Sequence, residues 1–281
     1  MKKQQKEKIT AFLIVYNEEE IIERALKSIK GVVDEILVIH DGPCKDNTLK
    51  IAKKYTKKIF TPPHEGRAAL HLIFALKKAK NDWLFKLDAD EVLSAELRKN
   101  LGKLTKNKKV SAYTFKWLLW DGKKYATKNW PHKKSMFRKS KCSFMQLPGW
   151  DEPRTKGRTV QTNYLLEHKP LYGVNEAFLP HKKLWKRSVK RGKDQAEYTL
   201  RDFEEIEKYK YDKDGFPLAI KIRRAFPLLS APAFAFVAFF KEIFSEGAWK
   251  EGFVIYRGAL KTAFSYLWLG NYISKLKKKK W

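Results

Sequence analysis

Short apolar runs alternate with stretches of helical periodicity along the first hundred residues of the chain. The runs TAFLIVY at 10–16, EILVIHD at 35–41 and WLFKLDAD at 83–90 are largely apolar, as buried parallel strands are. KKIFTPP at 57–63 adds a shorter strand. Between the runs, apolar residues recur three and four positions apart, which is the spacing of one helix face. This β-α-β-α-β-α-β order predicts an α/β fold with a mainly parallel central sheet, right-handed crossovers and flanking helices.

Polar side chains stand at the carboxyl ends of these predicted strands. Asn17 follows the first strand, Asp41 ends the second, and Asp88 and Asp90 end the fourth. Ligands of such sheets bind beyond the carboxyl ends of the strands, so we expect these side chains to share a site. Two carboxylates separated by one small residue repel each other unless a cation neutralises them, and their oxygens suit Mg²⁺ or Mn²⁺. Acidic residues also stabilise the start of a helix, which would explain Asp88 and Asp90 without a ligand. We favour a ligand site, because all three strands end in polar residues.

The charge balance is strongly basic. Lys and Arg number 60 against 31 Asp and Glu, which gives a net charge of +29. An anionic partner is implied, and the candidates are nucleic acid, an anionic membrane surface or a phosphorylated substrate. The chain has no zinc-finger spacing or aromatic RNA-binding pattern, so we expect no nucleic-acid partner. Two cysteines provide no disulfide framework, and the short apolar stretch at 9–16 does not resemble a signal peptide, so we expect a cytoplasmic location.

The C-terminal sixty residues have a different character. Residues 225–240 carry no charge, but Pro227 and Pro232 interrupt them, and they are shorter than the roughly 20 residues of a spanning helix. Residues 241–281 mix aromatic and basic side chains and end in KLKKKKW, a pattern typical of a membrane interface. We therefore expect peripheral association with the inner, anionic face of a membrane. The alternative is a helical hairpin packed on the domain, with a solvated lysine tail.

The runs LIVYNEEEIIERALKSI, EILVIHDGPCKDNTLKIAKKY and EGRAALHLIFALKKAKNDWLFKLDADEVL together resemble the nucleotide-sugar half of family 2 glycosyltransferases, over about residues 8–100. These enzymes have the Rossmann-like GT-A fold. KSMFRKS, PGWDEPR and LLEHKP further resemble the branch typified by lipopolysaccharide-core glucosyltransferases. The resemblance implies a nucleotide-sugar-binding half at 1–105 and an acceptor-binding half at 106–210. A helical, amphipathic extension then covers 211–281.

The resemblance also implies a reaction. A sugar passes with inversion from a nucleoside-diphosphate sugar, with a UDP-sugar as first guess, to a hydroxyl of an acceptor. The expected cofactor is a divalent metal, Mn²⁺ or Mg²⁺, and the expected acceptor is a lipid-linked or membrane-bound glycan. A second hypothesis is an anionic-polymer or nucleic-acid-binding protein on an inactive transferase scaffold. The intact set of Asp41, Asp88 and Asp90 argues against it, because binding alone does not need these carboxylates.

Site roles are carried over from the resemblance residue by residue. Asp41 would contact the base or ribose, and Asp88 the ribose or a metal-bound water. Asp90 would bind the metal, with Asp88 and His168 as further ligands, although a histidine after a strand is often structural. The nucleotide-sugar pocket would comprise Val15, Tyr16, Asn17, Glu18, Asp41, Arg67, Asp88 and Ala89.

The resemblance places the general base in the loop PGWDEPR. We prefer Glu152 and keep Asp151 as a close second, because the family usually has these two acids in the opposite order. A solvated acidic loop paired with Arg154 is the alternative without catalysis. Arg67 is likewise either a diphosphate contact or a solvated residue at a helix start.

Overall fold

The computed structural model describes residues 6–66, 68–143, 153–170, 173–175, 178–200, 218–244 and 253–279. The strands are β1 (Ile9–Val15), β2 (Glu35–His40), β3 (Ile59–Phe60), β4 (Trp83–Lys86), β5 (Glu91–Leu93), β6 (Val110–Lys116), β7 (His132–Arg138), β8 (Cys142–Ser143), β9 (Arg154–Thr155) and β10 (Arg158–His168). The helices are α1 (Ile22–Ile29), α2 (Thr48–Ala52), α3 (Leu72–Lys78), α4 (Ala95–Leu104), α5 (His181–Thr199), α6 (Leu218–Ala225), α7 (Pro227–Phe244) and α8 (Phe253–Lys279).

Eight of the strands form one sheet in the order β3-β2-β1-β4-β7-β6-β10-β5. The first four in that order are parallel, which confirms the predicted α/β sheet of the N-terminal half. Beyond them the sheet is mixed, because β7 runs antiparallel to both β4 and β6, and β5 runs antiparallel to β10. The parallel strands bring the ends of β1, β2 and β4 to one edge, where the polar residues lie.

Both faces of β1 are covered. Leu13 and Val15 pack with α1 on one face, while Phe12 packs with α3 on the other. A strand buried on both faces has no polar side, which explains why this run is continuously apolar. Burial of each large side chain contributes about 1.5–3 kcal/mol, so β1 is a rigid base for the turn that follows it.

The helices around the edge begin later than the periodicity predicts. Asn17, two residues after the end of β1, adopts φ 51°, and the amides of Glu18 and Glu19 then donate to Thr48 and Asp46. Those contacts hold an extended turn, so α1 starts at Ile22. The segment of helical periodicity between β3 and β4 is also divided, into a 3₁₀ turn over 68–71 followed by α3.

The C-terminal extension is helical, as predicted. α8 packs against both α5 and α7. Gly192 on α5 lies so close to α8 that an added Cβ would meet the Trp268 Cβ at 2.8 Å, and one at Gly270 would overlap Ala231 of α7. Among the helices in the described ranges, α7 has the length and the apolar composition of a membrane-spanning helix. Much of its apolar surface is exposed: Leu229 is 80% and Phe236 is 64% accessible.

Candidate active site

A cavity of about 660 Å³ separates the carboxyl edge of the sheet from the C-terminal helices. The sheet side of the cavity carries the polar residues that the sequence places at strand ends, together with aromatic side chains from the segment after β6. The opposite side is formed by α5, α7 and α8. The lining residues include Tyr16, Asn17, Glu18, Asp90, Trp117, Trp130 and His168 on the first side, and Arg187, Arg191, Glu242, Gly258 and Lys261 on the second.

Asp90 and His168 meet in this cavity. The His168 Nε2 lies 3.1 Å from an Asp90 carboxylate oxygen, although the two residues are far apart in sequence. Pairing of β10 with β5 brings them together, because His168 faces Glu91, the residue after Asp90. Trp117 stacks on the imidazole with ring centroids 3.8 Å apart, so packing fixes the ring plane. The other ring nitrogen, Nδ1, is buried and has no hydrogen-bond partner in the described part of the chain.

The pair fits a divalent metal. Adjacent ligands of an octahedral ion, at bond lengths of about 2.1 Å, stand roughly 3.0 Å apart, close to the separation found here. Carboxylate oxygen and imidazole nitrogen together suit Mn²⁺. Among the described residues, no three His, Cys, Asp or Glu side chains are arranged to hold one metal, and this includes the predicted set of Asp88, Asp90 and His168. The described geometry therefore offers two protein ligands, and phosphate oxygens and water would have to complete the shell.

Asp88 has a different partner. The Lys133 Nζ, on β7, lies 2.6 Å from an Asp88 oxygen and 2.5 Å from a Glu91 oxygen. Glu91 is fully buried and also accepts hydrogen bonds from the Trp117 indole and the Asp88 amide. Burial disfavours the Lys133 charge, but the two carboxylates outweigh it and raise the pKa of Lys133 above its usual value. Lys133 carries no signal in the sequence, because no pattern distinguishes one lysine in so basic a chain.

Glu18 is a half-buried acid on the cavity wall. One of its carboxylate oxygens is inaccessible and unpaired within the described ranges. Burial, and then the charges of Asp90, Asp88 and Asp46, raise the pKa of Glu18 to about 8. Glu18 is therefore protonated at neutral pH and can donate a hydrogen bond to a ligand, which an ionised carboxylate cannot do.

Asp41 lies below the edge and holds a loop. Its carboxylate accepts from the amides of Glu65 and Gly66, at 2.6 and 2.9 Å, and from His71 at 2.7 Å. Burial opposes ionisation, but these donors keep the pKa of Asp41 below its usual value. Asp41 is not among the described residues that line the cavity. In this structure it positions the 64–66 loop, and direct contact with a base or ribose stays a prediction.

The remaining predicted residues divide into two groups. Val15 and Ala89 are buried beside the edge, while Tyr16 is partly exposed and packs near His64 with ring centroids 4.8 Å apart. Arg67, Asp151 and Glu152 lie outside the described residues, so the general base and the diphosphate contact stay predictions.

Comparison with known proteins identifies the class. Mannosyltransferase PcManGT from Pyrobaculum calidifontis, solved in complex with GDP-Man and Mn²⁺, superposes with a TM-score of 0.53. The alignment covers 97% of this chain and 88% of that one at 17% identity, which shows a shared GT-A fold. The sequence profile described as "Glycosyl transferase family 2" matches residues 10–157. The chain belongs to this family of glycosyltransferases.

Curated relatives match the N-terminal part. An "Uncharacterized glycosyltransferase" of Rickettsia felis is 41% identical over 92 residues, which are 33% of this chain and 32% of the relative. A second, from Rickettsia conorii, is 40% identical over 98 residues, 35% of this chain and 34% of the relative. These matches span about a third of the length of either relative.

Proposed function

We propose that the chain transfers a sugar, with inversion, from a nucleoside-diphosphate sugar to a hydroxyl of a lipid-linked or membrane-bound glycan. The observation that carries this proposal is the contact between Asp90 and His168 in the wall of a large cavity at the carboxyl edge of the sheet. The Trp117 ring and the β5–β10 pairing hold the two donor atoms at a separation that suits one metal ion.

The roles of the residues follow from their environments. Asp90 and His168 would hold Mn²⁺ or Mg²⁺, which would neutralise charge on the departing diphosphate. Glu18, kept protonated by burial, can donate a hydrogen bond to an oxygen of the nucleotide sugar. Lys133 fixes Asp88 at the strand end, and Asp41 fixes the 64–66 loop. Glu152, or Asp151, would take the proton of the attacking hydroxyl.

The membrane part of the proposal rests on the exposed apolar face of the C-terminal helices. Large apolar side chains on α6, α7 and α8 are exposed over much of their surface. Single exposed apolar residues are common on soluble proteins, but a group of this size is typical of an interaction surface. α7 spans about 27 Å, slightly less than the roughly 30 Å of a bilayer core. Because α7 also packs against α8, we propose that the helices lie in the interface of the inner leaflet. The exposed residues are Leu218, Ile222, Leu228, Leu229, Phe236, Val237, Phe240, Phe244, Tyr256, Leu260, Phe264 and Leu267 on the helices, and Phe226 between α6 and α7.

The donor is tested with a panel of nucleotide sugars. The full chain is incubated with Mn²⁺ and UDP-, GDP-, ADP- or CMP-sugars, and the released nucleotide is measured. A UDP-sugar stays the first guess, and GDP-mannose is included because the structural neighbour from Pyrobaculum calidifontis was solved in complex with it. Asp90→Asn should lose at least about a hundredfold in nucleotide release, since it replaces an anionic metal ligand with a neutral amide. Asp121→Asn is the matched control, because Asp121 accepts turn amides from Lys123 and Lys124.

Full turnover by Asp90→Asn would refute the site. A second measurement separates the enzyme from an inactive polyanion-binding scaffold. Thermal stabilisation by UDP with Mn²⁺, and not by duplex DNA at physiological salt, supports the enzyme. The reverse result supports the scaffold.

A lipopolysaccharide-core oligosaccharide is the first acceptor to test, because the C-terminal half resembles that branch.

A further inference from the structure

One arginine joins the two segments that carry the proposed metal ligands. Arg24 lies on α1 and is half-buried. A single nitrogen of its guanidinium, Nη2, donates to the main-chain carbonyl of Asp90 at 3.3 Å and to that of Lys169 at 2.5 Å. Lys169 directly follows His168. Arg24 is therefore hydrogen-bonded to the backbone of Asp90 and to that of the residue after His168.

These carbonyls lie at the end of a short ladder of paired strands. β5 and β10 pair over three residues, and the last matched pair is His168 with Glu91. One further hydrogen bond, from the Lys169 amide to the Asp90 carbonyl at 3.1 Å, closes the ladder. Asp90 itself lies in the turn before β5. The end of such a ladder opens more readily than its centre, so the separation of the two ligands depends on contacts from outside the ladder.

An arginine is well suited to this position. Its guanidinium is charged and directs its N–H groups along fixed directions, so one nitrogen can donate to two carbonyls in a defined geometry. Charge-assisted hydrogen bonds are also stronger than those between neutral groups. The Arg24 Nε is buried and has no acceptor within the described ranges, which offsets part of this stabilisation. The main consequence of the contact is therefore a fixed geometry at the two carbonyls.

The helix that carries Arg24 begins at the cavity wall. Asn17 and Glu18 line the cavity, and the Glu18 carbonyl accepts from the amides of Ile21 and Ile22 at 3.1 and 3.0 Å. Arg24 follows in the first turn of α1. The start of this helix thus connects the turn at 17–18 to the backbone beside the proposed metal ligands.

We propose that Arg24 is a positioning residue for the metal pair of Asp90 and His168. The inference rests on the proposed function, in which these two side chains hold Mn²⁺ or Mg²⁺. Arg24 keeps the two backbone segments together, so that the donor atoms stand 3.1 Å apart and are ready for one ion. Groups that orient metal ligands in this way contribute roughly 10- to 100-fold to metal affinity.

The test compares Arg24→Gln with Arg98→Gln in the full chain. Arg98, on α4, is also half-buried and also donates to main-chain carbonyls, but its acceptors are at the C-terminal end of α1: Lys27, Ser28 and Lys30. Mn²⁺ is titrated in the presence of saturating UDP, and the free ion is measured by electron paramagnetic resonance. Arg24→Gln should weaken Mn²⁺ binding at least about tenfold, and Arg98→Gln less than about twofold.

A second variant and a metal-free measurement keep the test decisive if Arg24→Gln folds poorly. Arg24→Lys retains the charge but not the planar donor group, so its Mn²⁺ affinity should lie between those of the wild type and Arg24→Gln. Without metal or nucleotide, hydrogen exchange at the Lys169 amide should be at least about tenfold faster in Arg24→Gln than in Arg98→Gln, because the end of the ladder loses a charged contact. Arg24→Lys should again be intermediate.

Wild-type Mn²⁺ affinity in both Arg24 variants would overturn the inference. Equal weakening in Arg24→Gln and Arg98→Gln would also overturn it, because that result indicates general destabilisation. Absence of Mn²⁺ binding by the wild type would instead count against the proposed donor reaction. In that case, exchange at Lys169 still decides whether Arg24 holds the two segments together, and equal rates in all variants would refute this role.

Discussion

Removal of the Lys133 charge should destabilise the end of β4 strongly. The Lys133 Nζ lies 2.5 Å from a Glu91 oxygen, and Glu91 is fully buried. Lys133→Met keeps the apolar stem but leaves a buried carboxylate without its counter-charge, a change that costs about 3–5 kcal/mol. The contact with Asp88 adds little, because that side chain is 44% exposed. We therefore expect a loss of about 3 kcal/mol in the free energy of unfolding at pH 7.

The pH dependence of this loss has a definite sign. The pKa of Lys133 is raised in the folded state, so its stabilisation is fully present at pH 7 and is lost only as pH rises through that raised value. In Lys133→Met, the buried Glu91 can instead take up a proton at low pH. The deficit should therefore shrink at pH 5. Addition of Glu91→Gln should restore most of it, with a coupling energy of about 2 kcal/mol.

Urea unfolding followed by circular dichroism measures these quantities for the wild type, both single variants and the double variant. Lys134→Met is the matched control. Lys134 is the neighbouring residue, and its Nζ donates to the Pro153 carbonyl at 3.1 Å, so its loss should cost no more than about 1 kcal/mol. Equal losses for Lys133→Met and Lys134→Met would refute the buried-pair argument. So would simple additivity of Lys133→Met and Glu91→Gln.

Other contacts lead to three more predictions. The pKa of Glu18, about 8 in the folded chain against a reference of 4.5, means that stability falls as pH rises between these values. The free energy of unfolding should fall by at most about 5 kcal/mol over this range. Urea unfolding at pH 5 and 8.5 should detect the fall, and Glu18→Gln should abolish it. Gly270→Ala should cost about 1–3 kcal/mol by overpacking α7 against α8, and unchanged hydrogen exchange in both helices would contradict this. Leu229→Glu with Phe236→Glu should weaken sedimentation with anionic vesicles at least about tenfold, because burial of each side chain contributes about 1.5–3 kcal/mol. Lys53→Glu, which changes the net charge equally, should not reproduce that loss.

The sequence indicates the first half of the fold better than the second for a physical reason. Local periodicity marks β1 to β4, and the handedness of crossovers then determines how they associate. The direction of β7 and the register of β10 depend on pairing between distant segments, which leaves little trace in local composition. The proximity of Asp90 and His168 could be predicted only from the family resemblance. The contact of Lys133 with Asp88 could not be predicted, because local periodicity does not reveal where β7 lies in the sheet.

Three acids near the cavity are neutralised in different ways, and the difference suggests why a metal would bind at one of them. Asp88 is compensated by Lys133, a permanent cation on β7. Glu18 holds a proton, because burial and the neighbouring carboxylates raise its pKa to about 8. Asp90 contacts the His168 imidazole at 3.1 Å, and the buried Nδ1 of that ring has no acceptor in the described part of the protein. Of the three acids, Asp90 is thus the one that lies beside a ring nitrogen rather than a lysine or a held proton, so a divalent cation bound there would displace neither.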